Sequence, residues 1–480
     1  MGSDKLKFSQ KLGYASGIVS ESVLYNMFYT YFIIFLTDVA LVNPALAGTI
    51  SLISVLWDGI TDPLIGHYAD RKEGRKRKLL LFSALPMALF FILSFFPVQG
   101  GAVRSFLFYT ISAMLFWLFY TMYTIPYYAL GAEITQDYDE RTRIRGLSGF
   151  INSFAIFIGC ALPTLLVGAL MGKGISVARS WSLSAGLVGL IGFSFVIITW
   201  FSLRRIKLVK SPGSEVSHDN ILRNYMEIIR LKPFRYFVIY IVFYMVSSSI
   251  SQANLLYLIQ YRAGLDPDFI GFALVALIIG FLVFTPITTR LGTKYDRRTA
   301  IMIMFSLSAA GMLVMKGIGV DSAAAVLALS LITGISAAAF WGTFYSFAYD
   351  LVEIDEMVNG IRREGAITAL PQFLQKFGAA LGLWFEGLFL SALGYNASLP
   401  LQSPETRLGI ESVSTIFLAG MTLIAVGAMY KYPVTKERFL LLERALQKKK
   451  SGEVYSTEGL EDLIDTGNRA PGMPKAENQL

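Results

Sequence analysis

Two aspartates, Asp58 and Asp62, stand four residues apart in ALAGTISLISVLWDGITDPLIGHYA (45–69), a stretch that otherwise reads as a membrane-spanning helix. At about 1.5 Å per residue it is long enough to cross a hydrocarbon core. A spacing of four puts both carboxylates on one helix face, one turn apart. A charged carboxylate near the bilayer centre costs at least about 2.5 kcal/mol. Two on one face require something that offsets the cost: a cation, a proton or a basic partner. The chemistry is either that of a cation or proton site or that of a structural pair buried against a neighbouring helix.

The elements that must hold this pair follow from composition. Hydrophobic residues make up 54% of the 480-residue chain and charged residues 16%, outside the usual range of soluble domains. Apolar stretches predict an all-α membrane protein with spans near 13–37, 46–69, 78–98, 105–130, 148–171, 182–203, 235–260, 269–290, 299–316, 322–349, 366–393 and 408–430. The first is too long for a cleavable signal and lacks a small-residue cleavage site, so it is expected to stay in the membrane. The expected organisation is a six-helix bundle over 1–203, a connecting loop over 204–234, a second six-helix bundle over 235–430 and a tail over 431–480. That tail reads as disordered after 450.

Charge supports this layout. The chain carries 42 Lys and Arg and a net charge of +8. With alternate loops on opposite sides, one side holds only Arg104, Lys173, Arg179, Arg262, Lys316 and Arg407. Lys376 falls inside a span, and all the others lie on the side of both termini. This asymmetry is the positive-inside pattern, which places both termini in the cytoplasm and makes anionic lipid, not nucleic acid, the partner of the excess charge. Cys160 is the sole cysteine and His67 and His218 are isolated, so neither a disulfide nor a metal cluster is expected. No phosphate loop, nucleophile elbow or zinc-ligand spacing appears, which argues against an enzyme. The absence of a sizeable soluble output domain argues against a sensor.

The halves echo each other. Pro63 in PLIGHYADRKEGRKRK has its match in Pro286 of PITTRLGTKYDRRTA, and Asp139-Glu140 after the fourth span answers Asp355-Glu356 after the tenth. Such repeats are one route to alternating access. Asp70, Arg71, Asp139, Arg141 and Asp355 are read as gate residues, forming ion pairs and helix caps that break as the halves rock.

Gly66-x-x-x-Asp70-Arg71-x-x-Gly74-Arg75-Lys76-Arg77 resembles the helix 2–3 loop signature of the major facilitator superfamily, with one extra residue between Arg71 and Gly74. KLGY at 11–14, TDV at 37–39, WDGITDP at 57–63, IPYYAL at 125–130 and LQKFG at 374–378 narrow the likeness. Together they resemble the glycoside–pentoside–hexuronide:cation symporters, the family of the melibiose permease, from about Lys11 to Tyr432. The resemblance implies a twelve-helix major facilitator fold and cation-coupled symport in a plasma membrane. It places a cation site at Asp58, Asp62, Thr61 and Thr121. Sodium users of the family commonly have asparagine where this chain has Thr61, so the ion is left open between Na⁺, Li⁺ and H⁺, with no cofactor besides. Lys376 matches a family lysine and is expected to pair with Asp58 or Asp62 in an empty site and to release it when a cation arrives.

The family's galactoside carriers bind sugar through carboxylates and an arginine whose positions here are Ser22, Thr124 and Gly149. The pocket therefore keeps the family's location without those charges, which suits a uronide or a neutral glycoside. Ser22, Tyr25, Thr124, Tyr128, Trp341, Tyr345 and Lys376 are the expected substrate contacts. Tyr29, Tyr123, Tyr127 and Trp384 are further aromatic candidates. A lysophospholipid-like amphiphile, carried by distant animal relatives with the same WDxxTDP motif, is the alternative cargo. Glu21 and Glu386 are acidic residues in spans without an assigned role. The carrier is expected to act as a monomer.

Overall fold

A computed structural model describes residues 7–70, 74–98, 100–134, 138–204, 206, 221–360, 364–399 and 401–464. Twelve long helices dominate it: α1 Phe8–Val39, α2 Pro44–Asp70, α3 Arg75–Ser94, α4 Ala102–Glu133, α5 Tyr138–Met171, α6 Val177–Leu203, α7 Lys232–Arg262, α8 Pro267–Lys294, α9 Arg297–Ile318, α10 Ala323–Asn359, α11 Glu364–Ala392 and α12 Pro404–Lys431. Eleven are long and apolar enough to cross a membrane. The remaining one, α11, has the length, but Gln372, Gln375, Lys376 and Glu386 lower its hydropathy. Lys376 pairs with carboxylates of α2 and Glu386 is buried, so these charged residues sit inside the protein rather than in lipid.

Local sequence explains the helix ends. Asp296 accepts a hydrogen bond from the Thr299 amide at 2.6 Å, and Ser403 accepts one from Thr406 at 3.1 Å, capping α9 and α12. Pro63, Pro86, Pro126, Pro163, Pro286 and Pro371 lie within helices. Membrane helices tolerate them because neighbouring helices satisfy the freed carbonyls.

The repeat is structural as well as textual. The offset between Pro63 and Pro286 also separates a π-helical turn ending α1, Phe35–Val39, from one ending α7, Leu258–Arg262. It separates Leu41 at φ 55° from Gly264 at φ 64°, the left-handed residues that lead into α2 and α8. Leucine there is strained where glycine is not. The same offset pairs Gly159, packed on Val23 and Asn26 of α1, with Gly382, packed on Val246 and Ser249 of α7. Helix neighbours repeat too: α1 packs on α5 and α6 as α7 packs on α11 and α12, and α4 packs on α2 and α3 as α10 packs on α8 and α9.

The halves meet along α1–α7, α2–α11 and α5–α8. Backbone touches backbone between α2 and α11, where Gly48 meets the carbonyls of Leu383 and Trp384 and the Cα of Gly387.

Beyond α12, Thr435 caps a helix, Lys436–Ser451, that lies along α10. Lys450 pairs with Glu356 at 2.7 Å and Lys449 donates to the Met357 carbonyl at 2.8 Å. The composition after 450 reads as disordered, yet the chain packs through Ile464. Leu460 and Leu463 are buried, and Asp462 bridges Lys232 at 2.5 Å and Arg438 at 3.6 Å. The hydrogen bond from Lys232 holds the Asp462 carboxyl below the usual range. Two buried leucines supply an anchor too short to register as periodicity.

A Cβ on Gly387 would lie 2.4 Å from the Pro44 carbonyl and 2.7 Å from the Gly48 Cα. Gly387→Ala is therefore expected to destabilise the protein by about 1–3 kcal/mol, read as a lower Tm in detergent. Gly420→Ala in α12, where a Cβ meets nothing, serves as the control. Equal melting of the two variants would contradict the close α2–α11 approach.

Candidate cation and solute site

Asp58 and Asp62 project from α2 toward α4 and α11. Thr121 of α4 reaches both: its Oγ1 lies 2.5 Å from Asp58 Oδ1 and 3.0 Å from Asp62 Oδ1. A hydroxyl has one hydrogen, so it donates to one carboxylate at a time. The Oδ2 atoms face the other way, onto Lys376 of α11, whose Nζ lies 2.6 Å from Asp58 and 2.5 Å from Asp62. Two carboxylates against one ammonium leave one negative charge in excess, which matches a single monovalent cation or proton. The Asp58 side chain is 2% exposed, against 23% for Asp62 and 30% for Lys376, so water reaches the cluster from the Asp62 side. The donors are hard oxygens, suited to Na⁺, Li⁺ or H⁺ and not to a thiophilic metal. Asp58 and Asp62 belong to the first half and Lys376 to the second. The ion pair therefore crosses the seam between them.

Thr61 does not join this set. Its hydroxyl donates to the Asp58 carbonyl at 3.0 Å, a main-chain bond within its own helix turn. The cluster thus draws its oxygens from Asp58, Asp62 and Thr121.

A second group of side chains stands beside it. Glu21 on α1 accepts a 2.6 Å hydrogen bond from the Tyr128 hydroxyl on α4. Tyr25, one turn beyond Glu21, stacks on Tyr29 with ring centroids 4.4 Å apart and meets Trp117 edge-on at 6.0 Å. Lys376 lies within electrostatic reach of both Glu21 and Tyr25. Tyr128 is 52% exposed while bridging α4 to α1, so the space between these helices is open. Carboxylate, phenol, ammonium and ring faces thus lie near one another. They offer hydrogen-bond partners and stacking surfaces to a hydroxyl-bearing ring.

Other expected contacts fall elsewhere. Ser22 is buried among α1 residues that pack on α5, where Asn26 donates to its hydroxyl at 3.2 Å. A step of about 100° around α1 separates it from Glu21, which faces Tyr128 of α4 instead. Thr124 is buried one turn beyond Thr121 on α4. Trp341 on α10 is 44% exposed and packs edge-on against Phe340. Tyr123 and Tyr127 are packing residues, donating to the carbonyls of Gly17 at 2.8 Å and Tyr14 at 3.0 Å. Gly149 faces open space.

Of the expected gate residues, Arg71 and the side chains of Asp70, Asp139 and Arg141 lie outside the described residues, as does the side chain of Tyr345. Asp355 is fully buried near the end of α10 and accepts from Asn359 at 2.6 Å. Sequence reasoning missed a nearby ion pair, Arg297 of α9 with Asp350 of α10 at 2.7 Å. Arg297 belongs to YDRRTA, the echo of the helix 2–3 loop, which was the available signal. It lines a cavity of about 420 Å³ at the terminus side of α8–α10, away from the aspartates.

Known proteins match over nearly the whole chain. Residues 13–436 match the family model described as MFS/sugar transport protein. A glucuronide carrier protein homolog of Escherichia coli K12 is 24% identical, covering 91% of this chain and 94% of that protein. An isoprimeverose transporter of Lactiplantibacillus pentosus is 25% identical, with 89% of each covered. The crystal structure of a D-xylose-proton symporter superposes with a TM-score of 0.60 at 15% identity, covering 88% of this chain and 96% of that one, and shows the fold alone. That fold is two six-helix bundles.

Removing the ammonium should expose the repulsion it masks. Lys376→Met is expected to melt lower than the native protein in choline buffer at neutral pH, by about 1–3 kcal/mol after discounting for partial exposure. Added Na⁺ or Li⁺, or acid, should recover more of the loss than it adds to the native protein. Equal stability in choline would mean that the lysine does not hold the pair.

Proposed function

The chain belongs to the glycoside–pentoside–hexuronide:cation symporter family of the major facilitator superfamily, and on that premise we propose that it couples the inward movement of one monovalent cation to that of a neutral glycoside or pentoside. The carrying observation is the ammonium of Lys376 bound by Asp58 and Asp62 from across the seam. In the empty carrier this pair ties α2 to α11. A cation entering among Asp58, Asp62 and Thr121 takes over the charge that the lysine had neutralised. The freed ammonium then turns toward the solute space, where Glu21, Tyr25 and Tyr128 stand. Cation and solute thus each improve the site for the other, a mutual coupling between two ligands. The loaded carrier reorients by alternating access, and downhill cation entry drives uphill solute entry.

Glu21 argues for a neutral solute over a uronide. Its carboxylate accepts hydroxyl hydrogens and repels an acid, restoring part of the polarity that Ser22 and Thr124 do not supply. Polar groups around the open space favour a sugar over an amphiphile. The relatives named above are described as carriers of a glucuronide and of isoprimeverose, in keeping with a sugar rather than an amphiphile.

The test is a thermal-shift panel on purified protein with neutral glycosides, pentoses, uronates and lysolipids, each in Na⁺ and choline buffers at several pH values. Stabilisation by a neutral sugar class is expected, approaching about 2.7 kcal/mol at a hundredfold excess over Kd, and larger with the coupling ion present. A solute Kd indifferent to Na⁺, Li⁺ and pH would sink the symport reading, and a response to lysolipids alone would overturn the cargo. Glu21→Gln should weaken solute binding by about tenfold, or 1.4 kcal/mol, while cation binding without solute stays unchanged.

A further inference from the structure

On the face away from both termini, hydroxyl groups gather around one carboxylate. Asp38, at the end of α1, accepts hydrogen bonds from Tyr261 of α7 at 2.5 Å and from Tyr395, just beyond α11, at 2.6 Å. The hydroxyls of Thr37 and Tyr257 lie 2.7 Å apart. All three links cross between the halves. Beside them α11 is clamped on two sides, with Gly382 against α7 and Gly387 against the backbone of α2.

Glu386 lies between those two glycines. It is 1% exposed, and its Oε2 is buried without a hydrogen-bond partner. Tyr257 is within electrostatic reach of both Asp38 and Glu386, which ties the residue to the hydroxyl latch.

No described cation faces Glu386. α2 carries no titratable group from Pro44 to Trp57, and α10 carries none from Ala323 to Phe344. α7 contributes Tyr257 and Tyr261, and α1 contributes Asp38. On α12, Glu411 is bound by Arg262 and Lys316, and Glu405 and Arg407 lie in the first turn, at the far-face end of the helix. Lys376 of α11 itself is held by Asp58 and Asp62. The short helix Ile221–Arg230 meets α11 from the terminus side, the opposite end. Ionising a carboxyl group that has a buried, unpartnered oxygen costs several kcal/mol, so the closed face favours Glu386 as the neutral acid.

We propose that Glu386 is a proton-binding site separate from the Asp58–Asp62 pair, filled from the far face when that face is open and required to be filled for it to close. An O–H bond forms at the Glu386 carboxylate with a proton from water on that side. Reopening wets the group and returns the proton to the same side. The proton is a condition of closure and is not carried across. Acid on the far side favours the closed face and alkali favours the open one. The proposal rests on the alternating-access reading but on neither the solute nor the coupling ion.

The test uses the full chain in proteoliposomes, in choline and without solute, by pH-jump infrared difference spectroscopy. A carboxylic-acid C=O band is expected to persist above the pH at which exposed carboxyls ionise, to move in Glu386→Asp, to vanish in Glu386→Gln and to remain in Asp58→Asn. A band unchanged in Glu386→Gln overturns the proposal, whereas failure of the Asp58 cation reading would leave it untouched. A second measurement compares maleimide labelling of Val42→Cys, buried at the closed face, with that of Leu41→Cys, exposed beside it, in a Cys160→Ser background. The Val42-to-Leu41 labelling ratio should rise severalfold with external pH and stay flat when Glu386→Gln is added. A ratio independent of pH without that change also overturns it, even if the glutamine variant does not fold.

Discussion

The ammonium of Lys376 between Asp58 and Asp62 is the contact on which the rest of the arrangement turns. Buried charge in a membrane helix is tolerated only when paired, and here the pairing partner lies in the other half of the protein. Each side's desolvation penalty is therefore met only while α2 and α11 stay together. A ligand that replaces the lysine changes what the seam gains from being closed, and by linkage the state of the seam changes the ligand's affinity. Thr121 adds a hydroxyl that does not cross the seam. The proposed cation site would consequently keep its three oxygen-bearing side chains without the lysine.

Much of this was legible in the chain because it obeys short-range rules. A spacing of four on a 3.6-residue period put the two carboxylates on one face, and hydropathy marked the spans around them. A lone lysine in a span had to find a carboxylate. Less could be read where two periodic positions compete for one cavity. Ser22 and Glu21 are neighbours, and only the packing of α5 against Asn26 decides which of them faces inward. Thr61 sits in the expected cluster by sequence, but a main-chain carbonyl one turn back claims its hydroxyl. The polarity that made α11 functional also made it the least apolar of the long helices.

The latch at Asp38 was not legible at all. Its partners Tyr261 and Tyr395 lie far off in sequence, and each is an unremarkable tyrosine near a helix end. Nor does composition reveal that Gly48 and Gly387 meet backbone to backbone. Such contacts follow from how two rigid bundles dock, which the local pattern does not encode.

The internal repeat sharpens the point. The offset that maps Pro63 onto Pro286, and Gly159 onto Gly382, maps Asp58 onto Phe281, Asp62 onto Thr285, Lys376 onto Ser153 and Glu386 onto Pro163. The α2–α11 seam thus carries all four ionisable groups, and its counterpart α5–α8 carries none at those positions. A symmetric scaffold supplies two equivalent seams about which the halves can rock. With these four groups on one seam only, the proposed cation and proton sites both lie on that side, while α5–α8 holds a single carboxylate, Asp268 of α8, beside Gly168 of α5. Ligand-controlled rocking needs this break in symmetry. Two identically charged seams would be tightened and loosened together by the same ion, and neither direction of opening would be favoured.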